Sequence, residues 1–324
     1  MSELNPIFCS NMILQAGKPV RFFGAGKGDV KIRFLNEERS ISADGSWVLI
    51  FSPVDYGGPY EVEIWLDGAK ILLENIYFGD IYLLSGQSNM QMKLSMTKEP
   101  REAYKGNENV RLYTVDRIED EECFHARDGW VELTKENAEY FSALGYYIGQ
   151  NLATKNRKIG LIACYQGASI IQTWLPKSVA EREEFLDDLP VHSRSVYPLW
   201  NADGQLFEYQ LKTILPFSIA GVVWYQGESN TGEGEGKKYF ELLQALVESW
   251  REAFIDIELP FVIVQLADLN GNSEAWNRVQ SAQLRAGEVI EGVSCVVCRD
   301  ICEDDDIHPQ SKCGLGKRIS NVLK

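Results

Sequence analysis

A serine, two carboxamides and a glycine stand together at Gly86-Gln87-Ser88-Asn89-Met90, directly after the apolar run Ile81–Leu84. A buried strand that stops at a glycine and exposes a hydroxyl is one way a fold presents a nucleophile. The same pattern suits an ordinary strand-to-helix turn with Ser88 as N-cap. What separates the two readings is whether the chain also supplies a base, an orienting acid and donors for an oxyanion.

Three further loops carry such groups. Gln166-Gly167-Ala168-Ser169 comes after the apolar run Ile159–Cys164, and Gln226-Gly227-Glu228-Ser229-Asn230 after Ile219–Tyr225. The stretch Val293–Arg299 leads into an acidic loop with Asp305-Asp306-Ile307-His308-Pro309. His308 is one of three histidines, and imidazole suits general base and then general acid work. A helix-entry residue before Pro309 is its other reading. Asp305 can fold back within one turn onto the second ring nitrogen. Asp306 is nearer in sequence, and with acids at every position from 303 to 306 the choice stays open, with Asp305 favoured. For the oxyanion, Gly167 offers an unobstructed backbone N–H, Asn230 a side-chain amide and Ser88 its own N–H. A turn glycine and a cap residue are equally good descriptions of Gly167 and Asn230 taken singly. The conjunction is the parts set of acyl transfer through an acyl-serine, which needs neither metal nor cofactor.

These loops must be brought together by the elements before them. From about residue 77 onward, apolar strands alternate with helices of i, i+3, i+4 spacing, for example Phe240, Leu243, Leu246 and Trp250. The expected strands are Asp80–Leu84, Val110–Val115, Ile159–Cys164, Ile219–Tyr225, Phe261–Leu266 and Val293–Arg299. The expected helices are Ala138–Ala153, Gly204–Leu215, Lys237–Phe254, Glu274–Glu288 and Ser311–Leu323. Such alternation implies a parallel sheet covered on both faces, which binds ligands beyond the carboxyl ends of its strands. Residues 1–76 differ: short period-two runs such as Val20–Phe23, Val30–Phe34, Trp47–Phe51 and Tyr60–Trp65 lie between glycine-rich turns, which predicts a small β-sandwich. The division is therefore 1–76 and 77–324, with an irregular insertion near 95–138.

Composition narrows the partners. The 324 residues are 45% hydrophobic and 24% charged, with a formal net charge of −15. That charge argues against nucleic acid and anionic membrane surfaces. Acids cluster at Asp116–Glu122, Glu181–Asp188 and Glu303–Asp306. No apolar run is long enough for a membrane span, and the N-terminus lacks the pattern of a signal peptide, so a cytoplasmic location is expected. Seven cysteines without regular spacing suit reduced thiols. Cys295 and Cys298, followed by Cys302 and His308, have a zinc-like spacing, but Val293–Cys298 reads as a buried strand and no metal is expected.

The residues also carry a resemblance. The Gly86–Met90 block, Gly167 followed by Trp174, Trp224-Tyr-Gln-Gly-Glu-Ser-Asn230 and Asp305-x-x-His308 resemble the four blocks of the SGNH hydrolases, in the branch of sialate O-acetylesterases and some acetylxylan esterases. Asn11–Gln15, Ala43–Trp47, Gly57–Tyr60, Gly79-Asp80, Trp250-Arg251 and Lys312 extend the likeness over nearly the whole chain. It implies a flavodoxin-like three-layer α/β/α fold behind a β-domain. It implies Ser88 as nucleophile, His308 with Asp305 as its activating pair, and Gly167 and Asn230 in the oxyanion hole. Two departures stand out: Ala168 where a second glycine is usual, and Gln172 where Glu is frequent. The substrate implied is a small-molecule or oligosaccharide O-acetyl ester, sialic acid first and xylan-type sugars second. Trp174 is either a sugar platform or a core residue, while Gln87, Gln226 and Glu228 bind substrate or brace the serine turn, bracing being favoured because each adjoins a tight turn. Tyr197, Trp200, Trp224, Tyr225 and Trp276 lie near the same loops. Arg194, Arg278 and Arg285 are the candidate counter-charges for an acidic sugar. Whether the chain forms an oligomer is open.

Overall fold

The computed structural model describes residues 1–118 and 128–324. Its strands are β1 (Glu3–Leu4), β2 (Ile13–Gln15), β3 (Val20–Ala25), β4 (Lys27–Phe34), β5 (Glu37–Asp44), β6 (Trp47–Phe51), β7 (Gly57–Leu66), β8 (Ala69–Gly86), β9 (Asn107–Thr114), β10 (Val131–Leu133), β11 (Ile159–Tyr165), β12 (Gly221–Tyr225), β13 (Phe261–Val264) and β14 (Val293–Val296). β9, β11, β8, β12, β13 and β14 run parallel in that spatial order, and β10 adds an antiparallel edge. β8 lies in the middle, with chain order reversing on its flanks, so its carboxyl end is a topological switch point.

Helices cover both faces. Leu84 of β8 meets helix Ala143–Leu152, where a Cβ on Gly145 would lie 2.5 Å from the Leu84 Cδ1. Trp224 of β12 is in register with Ser85, one residue further on, and so faces the other way. There it packs at 5.7 Å on Trp250 of helix Tyr239–Ala253, which lies beside helix Glu274–Val289. Helix Lys312–Val322 packs with Ala143–Leu152 on the first face. The result is the expected three layers.

The amino-terminal strands form two facing sheets: β1, β3 and β6 on one side, and β5, β4 and β7 joined to β8 on the other. Phe22 and Phe51 of the first meet Phe34 of the second at 6.1 and 6.2 Å, and Phe34 stacks on Phe78 of β8. β8 thus belongs to both regions. The boundary expected after residue 76 falls inside this one continuous strand. Contacts cross it: Lys18 pairs with Asp256 at 2.6 Å, and the Trp130 Nε1–H donates to the Ile7 carbonyl at 2.9 Å.

Some expected elements shift. The helix expected from Ala138 starts at Ala143, because Ser142 caps it by accepting the Gly145 N–H at 3.2 Å. The helix expected over Gly204–Leu215 breaks at Gln210 into Gln205–Tyr209 and a 3-10 turn, Leu211–Ile214. Gln210 is fully buried, and its amide donates to Gln166 Oε1. The acidic cluster from Asp116 reaches residues 119–122, which lie outside the described residues. Cys298 is buried beyond β14, donating to the Gln265 carbonyl. No described helix is long and apolar enough to cross a membrane.

Candidate active site

Strand register creates the site. Gly86 at the end of β8 is paired with Tyr165 of β11 on one side and Tyr225 of β12 on the other. The residue after each of the three is a glutamine: Gln87, Gln166 and Gln226. Three loops therefore leave the sheet at the same level. The backbones there are so close that a Cβ on Gly86 would lie 2.1 Å from the Tyr225 carbonyl oxygen, and Gly86 has φ +128°.

Ser88 opens the short helix Ser88–Gln91 at the rim of the sheet. Its Oγ lies 2.8 Å from His308 Nε2, which arrives on the loop after β14. Gly167 faces the serine from the β11 loop: a Cβ on it would sit 3.9 Å from the Ser88 Cβ and 3.1 Å from Gln91 Oε1. The Ser88 and Gly167 backbone N–H groups have no acceptor among the described residues. The Asn230 side chain is buried; its Oδ1 accepts from the Ile171 N–H at 3.0 Å, and its amide donates to Gln172 Oε1 at 3.0 Å, leaving a second amide proton.

Asp305, the expected orienting acid, is exposed and makes no hydrogen bond to the His308 ring. Its charge acts instead on Lys98. Asp306 accepts the His308 backbone N–H at 2.8 Å. Local chain geometry explains this: an Asp side chain readily caps the N–H two residues on. Burial pushes the His308 pKa below its ordinary value, the nearby Lys312 ammonium lowers it further, and Asp306 opposes both.

Behind the serine lies a buried polar wall. The Gln87 Oε1 accepts from Gln226 Nε2 at 3.1 Å, from the Gly227 N–H at 3.3 Å and from the Ser229 N–H at 3.2 Å. Gln226, fully buried, also donates to the Ser169 carbonyl and to Asn230 Oδ1, and accepts from Tyr239 Oη at 2.7 Å. Asn89 bridges two charges: its amide donates to Glu228 Oε1 at 2.5 Å, and its Oδ1 accepts from Lys312 Nζ at 2.6 Å. The same amide reaches the Ile307 carbonyl at 2.8 Å, next to the catalytic-candidate histidine. Burial raises the Glu228 pKa and lowers that of Lys312, each charge offsetting part of the other's cost.

In front of the serine is a cleft of about 500 Å³. Gln87 and Glu228 reach its wall, whereas Gln226 and Trp174 do not line it. Trp174 is wholly buried, edge-on to Trp224 at 6.0 Å, with its Nε1–H donating to Ser169 Oγ at 3.0 Å. Of its two readings Trp174 therefore takes that of a core residue, and Gln226 that of a brace. The aromatic pair on the cleft is Tyr197 and Trp200, stacked at 5.2 Å and 22°. Their loop is tied to the glycine loop by Asn201, which donates to the Ala168 carbonyl and accepts from the Ile170 N–H. A further cleft residue, His192, has no signal in the sequence, because only this loop's path brings it there. Asn89, one of the two carboxamides beside Ser88 in the sequence, links the serine helix to Glu228 and Lys312. Arg194 is bound to Asp203, Arg278 to Glu274, and Arg285 lies 3.9 Å over the Phe240 ring; none of the three lines the cleft.

A serine on an imidazole at the switch point of a parallel sheet, with bare amides beside it, defines a serine hydrolase of the three-layer α/β type. Residues 78–323 match the family described as carbohydrate esterase, sialic acid-specific acetylesterase, and the chain belongs to that family. It is a serine ester hydrolase of carbohydrate O-acetyl groups. The chain is 28% identical to human sialate O-acetylesterase over 96% of its own length and 68% of that enzyme. To the mouse sialate O-acetylesterase it is 25% identical, over 95% of its own length and 70% of the other. A carbohydrate acetylesterase structure from Xanthomonas citri superposes with a TM-score of 0.85 at 24% identity, covering 99% of this chain and 74% of that one.

Proposed function

We propose that Ser88 attacks the acetyl carbonyl of an O-acetylated sugar and passes through an acetyl-serine. The observation that carries this reading is the 2.8 Å contact of Ser88 Oγ with His308 Nε2 at the point where the Gly167 and Asn230 loops abut. His308 Nε2 takes the serine proton as the C–O bond forms. The carbonyl oxygen becomes an oxyanion beside the Ser88 and Gly167 N–H groups and the remaining Asn230 amide proton. Each such donor contributes roughly 3 kcal/mol to lowering a barrier of this kind. The imidazolium then protonates the departing sugar oxygen as the C–O bond to the sugar breaks. Water, deprotonated by the same nitrogen, releases acetate and returns Ser88.

Asp305 supplies the carboxylate for Nδ1 in this reading. The Asp306 carboxylate is engaged by the His308 backbone N–H, whereas Asp305 makes no hydrogen bond among the described residues. The charge of −15 supports a substrate free in solution rather than nucleic acid or an anionic membrane as partner.

The test is a stopped-flow burst of 4-nitrophenol from 4-nitrophenyl acetate, with acetate release measured on acetylated sugars. The burst is expected in the wild type and not in Ser88→Ala. Equal activity in the two proteins would refute the assignment. Preference for acyl chains of about eight carbons or more would point instead to a lipid or thioester hydrolase on this fold.

A further inference from the structure

The charge around the cleft bears on which acetylated sugar enters. Among the described residues that line it there is no arginine or lysine. The Glu228 carboxylate stands in its wall, and its Oε2 has no hydrogen-bond partner among the described residues. The nearest buried ammonium, Lys312, is turned away onto Asn89 Oδ1. Asp304, Asp305 and Asp306 are exposed on the loop that carries His308. Arg194 stands on the cleft's own loop, but its guanidinium is held by both oxygens of Asp203. Among the described residues of the lining, an entering carboxylate thus meets the Glu228 carboxylate and no arginine or lysine.

The other side of the cleft favours an uncharged ring. Tyr197 and Trp200 form a stacked pair there, and Tyr197 keeps 39% of its surface exposed. Aromatic faces bind the C–H faces of sugar rings, and they do so without needing charge. The pair is held in place: Asn201 ties its loop to Ala168 at 2.9 Å, and Ser193 Oγ donates to the Ser229 carbonyl at 2.8 Å. The platform is therefore tied to the two loops that flank the serine.

We propose that the acetylated sugar taken by this site is neutral, stacked on Tyr197 and Trp200, and that the cleft discriminates against sugars bearing a carboxylate. This rests on the esterase reading of the same site and names its substrate class.

Binding to Ser88→Ala protein, measured by calorimetry, tests the proposal without turnover. Three ligands are compared: an O-acetylated xylo-oligosaccharide, a 9-O-acetylated sialic acid, and the methyl ester of that sialic acid. The methyl ester keeps shape and removes charge. The expected result is that the free acid binds at least about tenfold more weakly than its methyl ester at low salt, the gap closing at high salt as repulsion is screened. The xylo-oligosaccharide is expected to bind, and Trp200→Ala in the same background to weaken it by about tenfold. Binding of the free acid as tight as that of its methyl ester, or tighter, overturns the proposal, as does a xylo-oligosaccharide affinity that Trp200→Ala does not change. The 4-nitrophenyl acetate burst of the wild-type protein reads the esterase assignment separately, so a failure of either is visible by itself.

Discussion

The wall behind Ser88 is built mainly from carboxamides and the cleft in front of it from aromatic and histidine side chains, and the two meet opposite fates. Behind, Gln87, Asn89, Gln226, Asn230 and Lys312 are buried, and their polar groups bond to one another and to loop backbone. In front, Tyr197, His192 and His308 are at least partly exposed. A buried polar group left without its partner costs about 1–3 kcal/mol, so the wall admits few alternatives and holds four loops in one arrangement. The cleft has no such constraint and is free to set substrate choice. The same split explains the tryptophans. Trp174 is enclosed and positions Ser169, while Trp200 borders solvent and is available to a ligand.

Substitutions can break that contrast, starting with the largest effect. Ser88→Ala is expected to lower kcat by about 10³-fold or more, with unchanged melting temperature. Asn230→Ala, on the boundary between wall and site, should lower kcat by about 10²–10³-fold and also lower the melting temperature, because the Ile171 and Gln226 donors lose their acceptor. A kinetic loss without a thermal one would place Asn230 in the cleft alone. Next comes the loop acid. Asp305→Asn should reduce kcat about 10²-fold and Asp306→Asn much less; the reverse order of the two rates would transfer the orienting role to Asp306.

The pH profile sharpens the comparison, since it reads the wall from the cleft side. The active base is neutral imidazole, so kcat/KM should rise with pH and reach half its plateau below the ordinary histidine value of 6.5, because burial and Lys312 disfavour the charged ring. Lys312→Met removes the second of these causes and should move the half-point upward. Asp306→Asn removes the opposing charge and should move it downward. A half-point that stays put in Lys312→Met would show that the wall does not act on the histidine electrostatically. Trp174→Phe is a smaller change: loss of the bond to Ser169 should cost about 1 kcal/mol in denaturant unfolding with KM for acetylated sugar unaltered. A raised KM would return Trp174 to the substrate side. Smallest is Ala168→Gly. Ala168 has φ +55°, the left-handed region that glycine adopts freely, so the glycine variant should be more stable by about 1 kcal/mol in the same assay.

Much of the site could be read in the chain because its loops follow apolar strands, closely for Ser88 and Gly167 and at a distance for His308, which lies well beyond the end of β14 at Val296. Position after an apolar run needs no long-range information, which is why Ser88, Gly167, Asn230 and His308 could be named as candidates, their conjunction rather than any one of them pointing to acyl transfer. The three glutamines after β8, β11 and β12 show the limit. Their sequence positions are evident, but only the register of Gly86 with Tyr165 and Tyr225 makes them neighbours. The Asp305 placement was ambiguous for a related reason: consecutive acids differ only in the direction each side chain takes from a bend.

What the amino-acid order determined by itself was local. It contained the strand ends, the loop chemistry, the period-two texture of the amino-terminal region and the net charge of −15. Only the tertiary structure decided that β8 runs unbroken through both regions, that Trp174 is enclosed while Trp200 faces the cleft, and that Arg194 is held by Asp203. The reason is physical. Burial and charge pairing depend on which distant segments meet, and periodicity along one segment carries no record of that.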